Sequence, residues 1–316
     1  MFHTILTPLD GSTFGEHALP LALAIARRSG AALRLLNVHQ PPATIYSEAP
    51  LFISDPYLDS YVGEQQRAAS LAYLDGVVKR VKGLPAAGVA RLAAEGEIRD
   101  VICAQAQAIH ADLVVMTTHG RGPLGRFWLG STADELVRTL PMPVLIVRPQ
   151  EGAGDLEREA TLKHVLIALD GSPLAEQILE PAVELGALMG AEFTLVCVVR
   201  PVLIGGHVLA GGGLGQLAVA LEQLEAEHKR RCDQAESYLE EIAARLRARK
   251  LTVRTHVETD DQPAVGILHE AQKADADLIA LATHGRRGLS RLFLGSVADE
   301  VVRGGEVPVL LHHAAN

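Results

Sequence analysis

The chain has 316 residues, room for two domains at about 150 residues each. Its 48% hydrophobic and 21% charged residues match an ordinary globular protein and exclude disorder, collagen-like repeats and a disulfide-rich miniprotein. A net charge of −9 argues against a coat for nucleic acid or for an anionic membrane. Three cysteines (Cys103, Cys197, Cys232) without a CxxC pair read as free thiols in a reducing compartment. The start, MFHTILTPLDGS, lacks an apolar signal core, and a cytoplasmic location is expected. The uncharged run Pro201–Leu221 is long enough for a membrane span, but five glycines between Gly205 and Gly213, with His207 and Gln216, interrupt it, so it is not read as one.

In chain order, short apolar runs alternate with helical stretches. The first half reads as a strand at Ile5–Leu9, a helix at Glu16–Ser29 stopping at Gly30, and a strand at Ala32–Val38. A helix at Glu64–Leu84, a strand at Val89–Ala93 and a helix at Val101–Ile109 follow. The half closes with strands Leu113–Met116 and Val144–Val147 around a helix at Ser131–Leu140. Gln150–Glu157 has linker composition, placing the domains at 1–150 and 160–316.

The second half repeats this series from Val165–Leu169 to Val309–Leu311. THGRGPLGRFWLGSTADELVR at Thr118–Arg138 returns without a gap as THGRRGLSRLFLGSVADEVVR at Thr283–Arg303, and ILTPLDGS returns as VLIALDGS. A unit this long is a duplicated domain rather than a solenoid repeat. Strands joined by helices predict a parallel sheet with right-handed crossovers. The fold class is therefore α/β: two tandem doubly wound domains, each a sheet flanked by helices. The last strands, Val144–Val147 and Val309–Leu311, are apolar edges expected to pair into an intrachain pseudo-dimer. Such a unit is free to dimerise again. Long connections, Gln40–Gly63 and Arg200–Gly215, follow the second strand of each half and read as lids or mobile segments.

In an open parallel sheet, ligands bind beyond the carboxyl ends of the strands where strand order reverses. Three elements of each half fall there. The first is Asp10-Gly11-Ser12 (Asp170-Gly171-Ser172), the second the end of the second strand at Val38 (Val198). The third is the loop His119-Gly120, nine residues, Gly130-Ser131, repeated as His284-Gly285, nine residues, Gly295-Ser296. Its glycines and the helix that follows offer bare N–H groups to a phosphate. Arg121, Arg126, Arg286, Arg287 and Arg291 are placed to neutralise one or to face solvent. The loop also reads as a capped turn: Ser131 to Asp134 and Ser296 to Asp299 resemble a capping box with Asp for Glu. Asp10 and Asp170 read as nucleotide-facing carboxylates or as Asx-turns. No HExxH, paired Cys/His spacing, Walker A loop or GxSxG elbow occurs, so neither a metal centre nor a catalytic residue is expected.

Together, ILTPLDGS/VLIALDGS, Ala-Asp-Leu before the fourth strand, the His-Gly-x9-Gly-Ser loop and the closing PVLIV strand resemble the universal stress protein family in tandem form. The resemblance covers nearly the whole chain. It implies a five-stranded parallel sheet in each domain, a role in stress response, and ATP binding, with or without Mg2+, in one branch of the family. It places the ligand on Asp10, Val38, His119, Gly120, Gly130 and Ser131, and on Asp170, Val198, His284, Gly285, Gly295 and Ser296. Thr117 and Ala282 stand where that branch has its first motif glycine. The smaller Ala282 predicts that the second half binds at least as well as the first. The alternatives are a scaffold or chaperone-like interaction protein without nucleotide and a slow ATP hydrolase.

Overall fold

The computed structural model describes residues 2–39, 56–84, 88–118, 130–149, 152, 154–156, 159–202, 214–283 and 295–313. The first half runs β1 (Thr4–Leu9), α1 (Leu19–Ser29), β2 (Ala32–His39), α2 (Pro56–Arg80), β3 (Val89–Glu95), α3 (Ile98–Ala108), β4 (Leu113–Thr117), α4 (Ser131–Thr139) and β5 (Val144–Val147). The second repeats it as β6 (His164–Ala168), α5 (Leu179–Met189), β7 (Glu192–Val199), α6 (Leu214–Ala248), β8 (Val253–Thr259), α7 (Pro263–Lys273), β9 (Leu278–Ala282), α8 (Ser296–Gly304) and β10 (Val309–His312).

All ten strands join one sheet in the order β3-β2-β1-β4-β5-β10-β9-β6-β7-β8. Within each half the neighbours are parallel. The halves meet through the expected antiparallel pairing of their last strands, Val309 opposite Ile146, Leu310 opposite Leu145 and Leu311 opposite Val144. One face carries α1, α2, α5 and α6 over a buried apolar layer that is continuous across both halves. The other carries α3, α4, α7 and α8 over a second layer. Solid runs such as Leu113–Thr117, buried throughout, are what a sheet covered on both faces requires.

The Ala-Asp-Leu motif has a mechanical role. Asp112 accepts hydrogen bonds from the Thr4 N–H at 2.8 Å and the His3 N–H, and Asp277 accepts from Lys163 at 2.7 Å and His164 at 3.0 Å. Each carboxylate thus ties the entry of a half's fourth strand to the entry of its first. It satisfies N–H groups that precede the ladder.

Three expectations on element limits change. The helix predicted from Glu16 opens instead with a 3-10 turn, Gly15–Ala18. Pro20 has no N–H to return to the Glu16 carbonyl, so α-helical bonding cannot extend back through it. The helix α2 starts at Pro56 rather than Glu64, and α6 at Leu214 rather than Leu221. Tyr57 with Tyr61 and Leu214 with Leu217 and Leu221 carry helical spacing back into these first turns, hidden among the prolines and glycines of the connections, and in α2 proline at the first helical position is itself a start signal. The connections expected to be lids are shorter by these turns, and residues 40–55 and 203–213 lie outside the described ones.

The two halves fill equivalent space differently. Gly186 on α5 lies against Phe193 of β7, and a Cβ there would stand 2.6 Å from the ring's Cζ. The first half has Ala26 and Leu33 at these places, both fully buried. Gly186→Ala therefore gains about 1 kcal/mol of helix propensity but overpacks a rigid ring, at about 1–3 kcal/mol. Urea unfolding should show a net loss of stability for Gly186→Ala, relieved when Phe193→Leu is added. Additive effects of the two changes would disprove the coupling.

Candidate functional site

Strand order reverses between β1 and β4 and again between β6 and β9. At the first reversal the backbone leaving β1 forms an Asx-turn: the Ser12 N–H and hydroxyl donate to Asp10 Oδ1 at 3.0 and 2.7 Å. The Ser12 hydroxyl in turn accepts from the Gly15 N–H at 3.1 Å. The second half repeats the turn, Ser172 N–H to Asp170 Oδ1 at 2.9 Å and Ala175 N–H to the Ser172 hydroxyl at 3.1 Å. So the Asx-turn reading holds for both aspartates. Gly15 approaches Asp10 so closely that a Cβ would strike Oδ1.

Beside each turn stands the base of the glycine loop. The Gly130 N–H donates to the Thr118 carbonyl at 3.0 Å, and the Gly295 N–H to the Thr283 carbonyl at 3.2 Å. These bonds close each loop on itself where it enters a helix. A Cβ at Gly295 would collide with the Thr283 carbonyl, so glycine is required there by loop closure itself. His119, Gly120, His284, Gly285 and the loop arginines lie outside the described residues.

The capping-box expectation is corrected. The N-caps are Gly130 (φ −61°, ψ 149°) and Gly295 (φ −45°, ψ 141°), and neither helix start has a side-chain cap. Ser131 and Ser296 are the first helical residues and both are exposed. A glycine N-cap has no oxygen to give, so first-turn N–H groups of α4 and α8 are left for another acceptor. The first-turn acids do not face this end unbalanced. Asp134 pairs with Arg138 at 2.6 Å and Asp299 with Arg303 at 2.9 Å, one turn on. Burial pushes the Asp134 carboxyl up, Arg138 pulls it back, and Asp299 across the domain junction raises it again.

Val38 and Val198, the penultimate residues of β2 and β7, pack, half-buried, against the layer under α3 and α7. Thr117 is buried at the end of β4, whereas Ala282 is partly exposed at the end of β9. The structure thus gathers Asp10, Gly130, Ser131 and Thr117 at one end of the first sheet half. It gathers Asp170, Gly295, Ser296 and Ala282 at the matching end of the second.

Beneath each Asx-turn lies a network that the motif reading missed. Glu16, 4% exposed, accepts a bidentate pair from Arg80 at 2.7 and 2.8 Å and a bond from the Tyr73 hydroxyl at 3.1 Å. Glu176 repeats it with Arg245 at 3.2 Å and Tyr238 at 3.3 Å. Burial, and next the Glu16 carboxylate, push the Tyr73 phenol above its usual range. Partial burial, and next Glu176, do the same to Tyr238. The networks lock the second helix of each half to the turn that carries Asp10 or Asp170. A signal was present: Glu16 and Glu176 each follow the aspartate by the same interval, and Tyr73 and Arg80 are spaced like Tyr238 and Arg245.

A family model described as the universal stress protein family matches residues 1–148 and again 161–313. The chain belongs to the universal stress protein family. A curated universal stress protein of Mycobacterium bovis is 29% identical over 201 residues, 64% of this chain and 61% of that relative. The chain thus matches about three fifths of that relative's length. A Thermus aquaticus universal stress protein is 33% identical over 151 residues, 47% of this chain and all of its own length. A solved universal stress protein structure from Archaeoglobus fulgidus superposes with a TM-score of 0.63 at 18% identity, covering 99% of this chain and 98% of that one. A Pseudomonas aeruginosa protein of unknown function gives 0.63 at 21%, covering 99% and 93%. These structures establish the tandem universal stress protein fold. No described helix is long and apolar enough to cross a membrane.

Two predictions follow from the charges around these turns. Arg80→Ala strips the countercharge from a carboxylate only 6% exposed and should cost about 3 kcal/mol in urea unfolding. Arg245→Ala acts on a carboxylate 31% exposed and should cost under about 1 kcal/mol. Equal losses would show that burial of the glutamate is not what sets the cost. His312, at the end of β10, has a buried Nδ1 without a hydrogen-bond partner among the described residues, and burial lowers its pKa below 6.5. The unfolded chain then takes up this proton first as pH falls, so stability is intact above that range and lost below it. Thermal melts from pH 7.5 to pH 5 should show a smaller fall in Tm for His312→Gln than for the parent chain.

Proposed function

We propose that this universal stress protein is a regulatory protein that binds an adenine nucleotide, ATP with or without Mg2+, at the loop after the fourth strand of each half. The reading rests chiefly on the two uncapped helix starts. Both halves enter α4 or α8 from a glycine that cannot cap, next to an Asx-turn at the point where strand order reverses. An anionic phosphate chain is the acceptor that such N–H groups and the helix dipole favour. Ser131 and Ser296, exposed on the first turn, add a hydroxyl donor. Arg138 and Arg303 offset the acids that would repel a phosphate. His119, Gly120, His284 and Gly285 complete the loop, and Asp10 with Val38, or Asp170 with Val198, bound the adenine and ribose side.

In this reading the second half binds at least as well as the first, because Ala282 intrudes less than Thr117 at the position of the missing motif glycine. The nucleotide acts as a signal rather than a fuel, and the protein works in the cytoplasm. The experiment is calorimetric titration of ATP with Mg2+ into protein stripped of carried-over nucleotide. Binding should be seen, and Ser296→Ala should weaken it about tenfold by removing one hydrogen bond to a charged group. Ser131→Ala should act less on the tighter site. Valine at Gly295 is a poor probe, since it would break loop closure whatever the ligand. No binding by the stripped parent chain removes the nucleotide from the function.

A further inference from the structure

One side-chain cluster in the second half has no counterpart in the first. His256 and Glu258 lie two residues apart on β8, on one face of the strand, and Glu270 projects from α7. By strand register their first-half equivalents are Leu92 and Ala94, which pack against the apolar layer. The Glu270 position is taken there by Gln105. Polar groups turned into this layer need partners. The His256 Nε2 lies 2.9 Å from Glu258 Oε2 and 3.3 Å from Glu270 Oε2. One ring nitrogen carries at most one proton, and its hydrogen bond goes to Glu258. Glu270, 6% exposed, keeps a buried Oε2 without a hydrogen-bond partner among the described residues, with Lys273 Nζ at 3.5 Å.

We propose that His256, Glu258 and Glu270 form a binding site for a divalent first-row transition cation, zinc above all. The three ligand atoms lie within 4.8 Å of one another. Donors around a tetrahedral zinc, bonded at about 2.0–2.2 Å, stand roughly 3.3 Å apart. Of the two nitrogen–oxygen separations, that to Glu270 already matches this spacing and that to Glu258, at 2.9 Å, is short of it, so a small outward shift of Glu258 from His256 suffices on these two edges. Imidazole nitrogen with two carboxylates selects zinc and its neighbours over calcium or magnesium, which prefer oxygen alone. The fourth position opens toward solvent beside His269, whose Nδ1 is 3.6 Å from Glu258 Oε1 and whose side chain is 62% exposed. Lys273, 59% exposed, is free to swing outward as the cation neutralises Glu270. A bound ion would clamp edge strand β8 to α7 in the second half alone.

The test uses the full chain, freed of metal with EDTA, loaded with zinc chloride, desalted and read by elemental mass spectrometry. About one retained zinc per chain is expected, with a rise in Tm on loading. Glu270→Gln should weaken binding at least tenfold and abolish the rise in Tm. The double change His256→Leu with Glu258→Ala copies the apolar first half, so it should fold and lose the metal. His313→Gln, at the His-His tail, should change nothing. No retained zinc, undiminished binding in the double variant, or loss in His313→Gln instead would each overturn the proposal.

Discussion

Antiparallel pairing of β5 with β10 is the contact on which the whole molecule depends. Leu145 and Leu310, both fully buried, face each other at its centre. Each half alone would end in a short apolar edge strand, a template for aggregation. Pairing removes both edges and merges two sheets into one. It also makes the layer beneath α1, α2, α5 and α6 continuous, so the halves share a core. The same junction brings Asp134 near Asp299, placing the two loop-bearing helices, and the sites they open on, on either side of a common seam.

Around that seam, duplication has kept the framework and changed the filling. Both halves keep the Asx-turn, the aspartate tying the first strand to the fourth, the glycine that closes the loop and the glutamate–tyrosine–arginine network, its glutamate buried in the first half and half-buried in the second. These are polar devices held by specific hydrogen bonds, and loss of one partner leaves another stranded. The apolar positions exchange more freely. Ala26 with Leu33 becomes Gly186 with Phe193, conserving volume across the contact. Asn37, whose amide donates to the Leu9 carbonyl at 2.7 Å, is matched by buried Cys197. At β8 the halves differ in chemistry as well as in size, with His256 and Glu258 where the first half has Leu92 and Ala94.

Glycine in the phosphate-loop motif carries more than one meaning. At Gly295 the closing hydrogen bond to Thr283 and the collision awaiting a Cβ already demand it. The residue is thus needed by the turn whether or not a ligand lies above it. What such closure does for binding is indirect: it brings the chain into the helix through a residue with no capping side chain. The donors are left open by the geometry that shapes the loop.

Much of this protein was legible in its sequence. Apolar runs of strand length alternating with helical stripes reveal a parallel sheet, because burial on both faces admits little else. The repeat of LDGS and of HG-x9-GS reveals duplication, and apolar PVL segments reveal the pairing edge. Local chemistry offered the Asx-turns at Asp10 and Asp170 as one of two readings. It misplaced Ser131 and Ser296, since a cap is decided by backbone angles one residue earlier rather than by residue type. Helix starts at Pro56 and Leu214 escaped because their first turns follow proline- or glycine-rich connections that read as loop. Only the tertiary structure joined Glu16 to Tyr73 and Arg80, and His256 and Glu258 to Glu270. These groups come from separate elements, and their distances depend on sheet register and helix packing, which no local pattern encodes.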